Sequence, residues 1–288
     1  MAREYYYLIA GLPDLFLDQE RKDFNLIKLK DEIKEHIHPN DFRLVEKLFM
    51  EYDNENFQNF LFERNREFNS LGMYSEDLYK EFEENISEFP EYIQSFYNIY
   101  KGKNDDSEED DQETDLYYSD KVEKIPEVKF QEMFYEYMKT SENRFLKEWY
   151  NFLLVFNNLQ AAISARKAGA DIAPQMVGEG ELVEIFSRSQ AADFGLKREI
   201  DYLDTLLQIT EQTDIIERER RIDMLKWDMA DELTTFDYFN IDKILAFLVK
   251  ANIVQRWAKL DSTIGAQMFE KLVTDLRESY KMPNEIQS

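Results

Sequence analysis

Phe145, Trp149, Phe152, Phe156, Leu159 and Ile163 recur at steps of 4, 3, 4, 3 and 4. That is one apolar stripe sustained over about five helical turns. A strand would send alternate positions of such a run to opposite faces, so only a long helix buried along one side satisfies the pattern. Ser141 is placed to cap its N-terminus, and Gly169 stands where a left-handed C-terminal cap is expected. The helix should therefore cover about Glu142 to Ala168 and act as a central strut. With only eight glycines and six prolines in 288 residues, little interrupts helices elsewhere.

The same signals predict the other elements. Pro39 and Asn40 open a helix that carries Leu44, Leu48 and Tyr52 toward the core. Ser75, followed by Glu76 and Asp77, is a helix start with acids at the positive end of the dipole. Pro90 leads into Tyr92, Phe96 and Tyr100. Helices are also expected near Glu181–Arg188, Leu196–Gln208, Asp214–Thr235, Ile241–Lys259 and Ser262–Tyr280, with Asp261 capping the last and Pro283 ending it. No segment alternates with period two between hairpin turns, save a weak pattern at Tyr5–Ala10 that fits either a strand or a helical turn. The expected fold is all-α, an elongated multi-helix arrangement with a long central helix.

Between Asn104 and Asp115, "NDDSEEDDQETD" carries eight acids and no base. Like charges at that density cannot pack together, so residues 104–119 are expected to be a flexible acidic loop. It would divide an N-terminal helical lobe (1–103) from a C-terminal helical lobe (120–288) that holds the long helix. The net charge of −25 repels nucleic-acid backbones and anionic lipid surfaces, so no nucleic-acid partner is expected. The absence of cysteine excludes disulfides and thiolate metal sites, and fits a reducing compartment. The apolar run Tyr5–Gly11 is too short and too polar for a signal segment or a membrane span, and no later window is long enough. Direct membrane insertion is not expected.

Residues fitted for catalysis are scarce. The two histidines, His36 and His38, lie in "KEHIHPND". Glu35 and His38 match half of a di-iron carboxylate–histidine pattern, but there is no third histidine to supply the other half. A triad would need one of the same histidines, and no glycine-flanked serine elbow is present. "GEGE" at Gly178–Glu181 lacks the lysine and glycine spacing of a phosphate loop. "ERERRID", Glu217 to Asp223, reads as a solvated helix face of alternating sign, although Arg218, Arg220 and Arg221 could meet an acidic partner. No catalytic, cofactor-binding or metal residues are assigned, and a non-enzymatic role is expected.

One span breaks the composition. Asn157–Asp171, "NNLQAAISARKAGAD", gives up bulky side chains for five alanines and a glycine. On a helix Asn158, Ala162, Ala165 and Gly169 share a side, and so do Ala161, Ala165 and Ala168. Small residues at that spacing let another helix approach closely. Arg166 and Lys167 then fall in the last turn, where cations complement the dipole.

This span resembles the asparagine-leucine, arginine-x-lysine-x-x-glycine signature of the C/d-type subunits of rotary V-type and archaeal-type ATPases. It departs from that pattern at Ile163-Ser164, where the family carries an aliphatic-arginine pair. A closer likeness is to an uncharacterised bacterial family, a domain of unknown function encoded among V-type ATPase genes. "YYYLIAGLPDL", "NRFLKEWYNFLLVFNNLQAAISARKAG" and "VQRWAKLDSTIGAQMFEKLV" are similar to successive blocks of that family, spread from residue 5 to about residue 273.

The resemblance implies a fold like that of the V-type ATPase C/d-type subunits, and a non-catalytic role coupling the central stalk to the membrane rotor ring in ion transport. The implied partners are the central-stalk subunits and the rotor ring. The implied location is cytoplasmic, peripheral to the inner membrane through those subunits. Asn158, Leu159, Arg166, Lys167 and Gly169 match the signature. With Ala162 and Ala165, they would hold the interhelical geometry, Arg166 or Lys167 reaching a carboxylate. Two other readings are an assembly factor or scaffold that binds ATPase subunits transiently, and a metal-dependent helical enzyme centred on Glu35 and His38.

Overall fold

A computed structural model describes residues 3–17, 25–104 and 124–259. The acidic run beyond Asn104 and the expected helix Ser262–Tyr280, with its caps Asp261 and Pro283, lie outside the described residues. Among the described residues every regular element is helical and no strand occurs, in agreement with the all-α reading. The chain divides into two compact units, Met1–Ile37 with Phe239–Ser288, and His38–Tyr238. That division differs from lobes at 1–103 and 120–288.

In the smaller unit, α1 (Tyr6–Gly11) settles the ambiguous Tyr5–Ala10 run as a helix, though none of its residues is buried. It is tied by the Tyr5 amide, which donates to the Phe239 carbonyl at 2.6 Å, and by the Tyr6 and Phe239 rings, 4.4 Å apart. α2 (Leu26–His36) begins at Asn25, whose side chain accepts from the Lys28 amide. It buries Leu26 and Ile33. The helix 241–259, here α11, is apolar on nearly all sides from Ile244 to Val254, as a buried helix must be. Its Gln255 Oε1 accepts from the Leu26 amide at 3.0 Å.

The larger unit holds α3 (Pro39–Leu61), α4 (Glu76–Lys80), α5 (Glu91–Asn104), α6 (Pro126–Lys139), α7 (Arg144–Ala168), α8 (Glu181–Arg188), α9 (Leu203–Thr210) and α10 (Ile215–Leu233). α7 is the strut the stripe predicts. It packs against α6, α8, α10 and a short 3-10 turn at Ala173–Gln175, while α6 also pairs with α5 and α9 with α10. All six stripe residues are buried. The helix starts two residues later than expected because Ser141 still belongs to the end of α6, its amide donating to the Met138 carbonyl. Asn143 caps α7 instead, its Oδ1 accepting from the Leu146 amide at 2.8 Å.

Two other expectations are corrected. On α3 the buried face is Phe42, Val45, Phe49 and Met50, whereas Leu44, Leu48 and Tyr52 are only half-buried. The face is displaced by one position because Phe42, Phe49 and Phe57 carry more apolar area than the leucines. The helix expected from Leu196 forms only at Leu203; residues 196–202 run in turns closed by bonds such as Glu199 amide to Leu196 carbonyl. Leu196, Ile200 and Leu203 are nevertheless all buried, so the apolar period persists without a regular helix.

Aromatic rings fill the core between α3, α5, α6 and α7. Phe57 meets Phe82, Phe96 and Phe130 at centroid distances of 5.4, 6.3 and 5.2 Å. Tyr150 on α7 donates its hydroxyl to the Leu48 carbonyl of α3 at 3.1 Å. Burying each such ring contributes about 1.5–3 kcal/mol, and edge contacts add to that.

Candidate functional site

The small-residue span lies on the last three turns of α7, and its polar groups are engaged by main chain. Asn158 is buried, and its amide faces the Val177 peptide group in both directions. Nδ2 donates to the Val177 carbonyl and Oδ1 accepts from the Val177 amide, each at 2.8 Å. Leu159, Ala162 and Ala165 are buried, while Ala161 is half-buried and Ala168 and Gly169 are exposed. The alanine face thus leaves room for the 3-10 turn and α8 to close over α7. Only part of the face does so; its last turn is open.

Arg166 reaches carbonyls rather than the expected carboxylate. Its Nη1 donates to the Ala191 carbonyl at 2.7 Å and its Nη2 to the Ser189 carbonyl at 2.9 Å. The guanidinium also lies 3.9 Å from the centre of the Phe194 ring. Phe194 and Gly195 have φ of 56° and 79°, a left-handed turn that a phenylalanine adopts only under constraint. Phe194 is held between Arg166 and Phe186, its ring packed edge-on against Phe186 at 5.4 Å. Lys167 Nζ donates to the Thr210 carbonyl at 2.6 Å. Thr210 ends α9 and Ser189 follows the end of α8, so both cations meet the negative ends of neighbouring helix dipoles. Gly169 has φ of 66°, and the cap closes with Gly169 amide to Arg166 carbonyl and Ala170 amide to Ala165 carbonyl.

Two polar clusters in the same unit were missed from sequence. Asp53 is fully buried on α3. Its carboxylate accepts from the Met73 amide at 2.8 and 3.0 Å and from the Tyr74 amide at 3.2 Å, and the Tyr79 hydroxyl donates to its carbonyl oxygen at 3.0 Å. Burial first, and then the Asp53 charge, push the Tyr79 and Tyr74 hydroxyls well above the ordinary phenol range. Asn56 pairs with the Asn69 peptide in both directions, at 2.9 Å each way. The signal was an acid and two asparagines inside "EYDNENF", at positions that fall on the apolar face.

The second cluster surrounds Glu132 on α6, buried among Lys124, Lys129 and the Gly178 main chain. Lys124 and Lys129 both pair with its carboxylate, the latter at 3.1 Å. The Gly178 amide donates to it at 2.9 Å, and Lys124 also donates to the Gly178 carbonyl at 3.1 Å. "GEGE" is therefore a turn, with Gly178 and Gly180 at φ of 84° and 109°.

His38 caps α3, its Nδ1 accepting from the Asn40 amide at 3.1 Å, and His36 Nδ1 lies 2.7 Å from the Glu32 carbonyl. Among the described residues no three His, Asp or Glu side chains are grouped to hold a metal, and no helix is long and apolar enough to cross a membrane. Arg221 of "ERERRID" pairs with Glu217 one turn away at 3.0 Å.

Over residues 1–280 the sequence matches the family described as "Protein of unknown function (DUF2764)". The chain belongs to the DUF2764 family. No curated protein and no solved structure matches it.

Proposed function

We propose that this DUF2764 protein is a non-catalytic subunit of a bacterial V-type ATPase that couples the central stalk to the membrane rotor ring. The central stalk and the ring are its partners, and it sits at the cytoplasmic face of the inner membrane through them. The resemblance to the C/d-type subunits supports the reading. The observation that carries it is the condition of the signature segment itself. Asn158, Arg166 and Lys167 are bonded to main-chain groups of the chain folded over α7, and Ala162 and Ala165 are buried beneath it. A segment so engaged holds helices in register, and a mount that transmits torque needs that rigidity. The acidic surface suits a peripheral subunit held by partners rather than by lipid.

Deletion of the gene tests it, with ATP hydrolysis and ion pumping measured together on inverted membrane vesicles. Hydrolysis should persist while pumping falls to the level seen with an uncoupler. Full pumping by complexes assembled before the protein is depleted would overturn the coupling role in favour of an assembly factor.

A further inference from the structure

A cleft of about 270 Å³ opens between α3, the turn that follows it, α6 and α7. Its floor is two buried side chains, each with a hydrogen-bond donor to spare. Asn54 is 8% exposed, and its Oδ1 accepts from the Tyr92 hydroxyl at 2.5 Å. No described residue takes its Nδ2 protons. Tyr135 is 7% exposed and accepts from Asn157 Nδ2 at 2.9 Å, which leaves its own hydroxyl hydrogen without an acceptor among the described residues. Asn54 Nδ2 is not sealed in, since the enclosed side-chain polar atom lacking a partner among the described residues is Ser141 Oγ. It opens to the cleft, which Tyr135 also lines.

The α3 wall carries Glu51 and Glu55 one turn apart, neither in an ion pair among the described residues. Both residues are exposed, so their side chains are open to a cation that enters the cleft. Of the two arginines at the rim, Arg64 is paired with Glu127 at 2.5 Å. Arg66 stands beyond the turn that ends α3 and lines the same cleft. Amide side chains dominate the remaining lining. An amide can match a peptide group in both directions, as Asn158 does with Val177 in this protein.

We propose that this cleft binds an extended peptide segment of a partner protein, with a lysine or arginine side chain between Glu51 and Glu55 and a main-chain carbonyl on the Asn54 amide and Tyr135 hydroxyl. The volume admits one side chain and its flanking main chain, not a folded surface. The proposal does not depend on the coupling role.

The test uses the full chain, labelled with 15N, and follows side-chain amide resonances during titration with N-acetylated, C-amidated Ala-Ala-Lys-Ala-Ala. Two companion peptides carry norleucine or glutamate at the central position. The lysine peptide should shift the Asn54 and Asn157 amide signals, and the norleucine peptide should bind about tenfold more weakly or not at all. The double variant Glu51→Gln/Glu55→Gln changes only surface carboxylates; it should keep the remaining spectrum and lose the lysine preference. Tyr135→Phe should weaken every peptide that binds. No shift with the lysine peptide at about 1 mM would overturn the proposal. So would equal binding by the glutamate peptide, or an unchanged lysine preference in the folded double variant.

Discussion

Gly72→Ala probes how tightly the buried Asp53 carboxylate is fixed. A methyl group on Gly72 would lie 2.3 Å from Asp53 Oδ1 and 2.8 Å from its Cγ. To restore van der Waals contact, Oδ1 must retreat by about 1 Å. It accepts from the Met73 amide at 3.0 Å and the Tyr74 amide at 3.2 Å, and a shift of that size takes both beyond bonding range. Asp53 is fully buried, so no water replaces the lost partners. Weakened charge-assisted bonds and overpacking together predict a loss of about 2–4 kcal/mol. Urea unfolding followed by circular dichroism measures it, as a lower midpoint at unchanged slope. Asp53→Ala removes the atom that the methyl group strikes, so adding Gly72→Ala to it should cost less than about 0.5 kcal/mol. A Gly72→Ala loss below about 0.5 kcal/mol, or fully additive losses in the double variant, would refute the reasoning.

Arg166→Met removes two bonds to carbonyls and the contact that holds the Phe194 turn; it should cost about 2–4 kcal/mol, with Arg166→Lys recovering only part, by the same unfolding measurement. Glu132→Gln leaves Lys124 and Lys129 facing a neutral group in a buried site and should cost about 3–5 kcal/mol. Ala165→Leu overpacks the contact face of α7 and should lower stability by about 1–3 kcal/mol, while the same change at exposed Ala168 should be near neutral.

Much of the fold was legible because its determinants are local and periodic. The α7 stripe, the Gly169 cap, the Ser75 start and α8 at Glu181–Arg188 all follow from spacing and capping chemistry, and each is present. Sequence reasoning went astray where tertiary burial decides. Which α3 face turns inward depends on the rings it meets from α5 and α6. Before the irregular stretch that leads to Leu203, the left-handed pair Phe194–Gly195 is held by Arg166, a contact distant in sequence. Of the candidate site, the small-residue face could be read, but the destinations of its cations could not. A carbonyl at the end of a distant helix leaves no mark in the sequence around Arg166 or Lys167. Asp53 and Glu132 were hidden among 60 acids. Only burial separates those two from the solvated majority.

The coupling role stands or falls on whether the protein belongs to the assembled motor. Purification of the native V-type ATPase from cells that express this chain, with its components quantified by mass spectrometry, answers that directly. The account predicts recovery in fixed stoichiometry with the central-stalk subunits. An active, fully assembled complex that lacks the chain would contradict it.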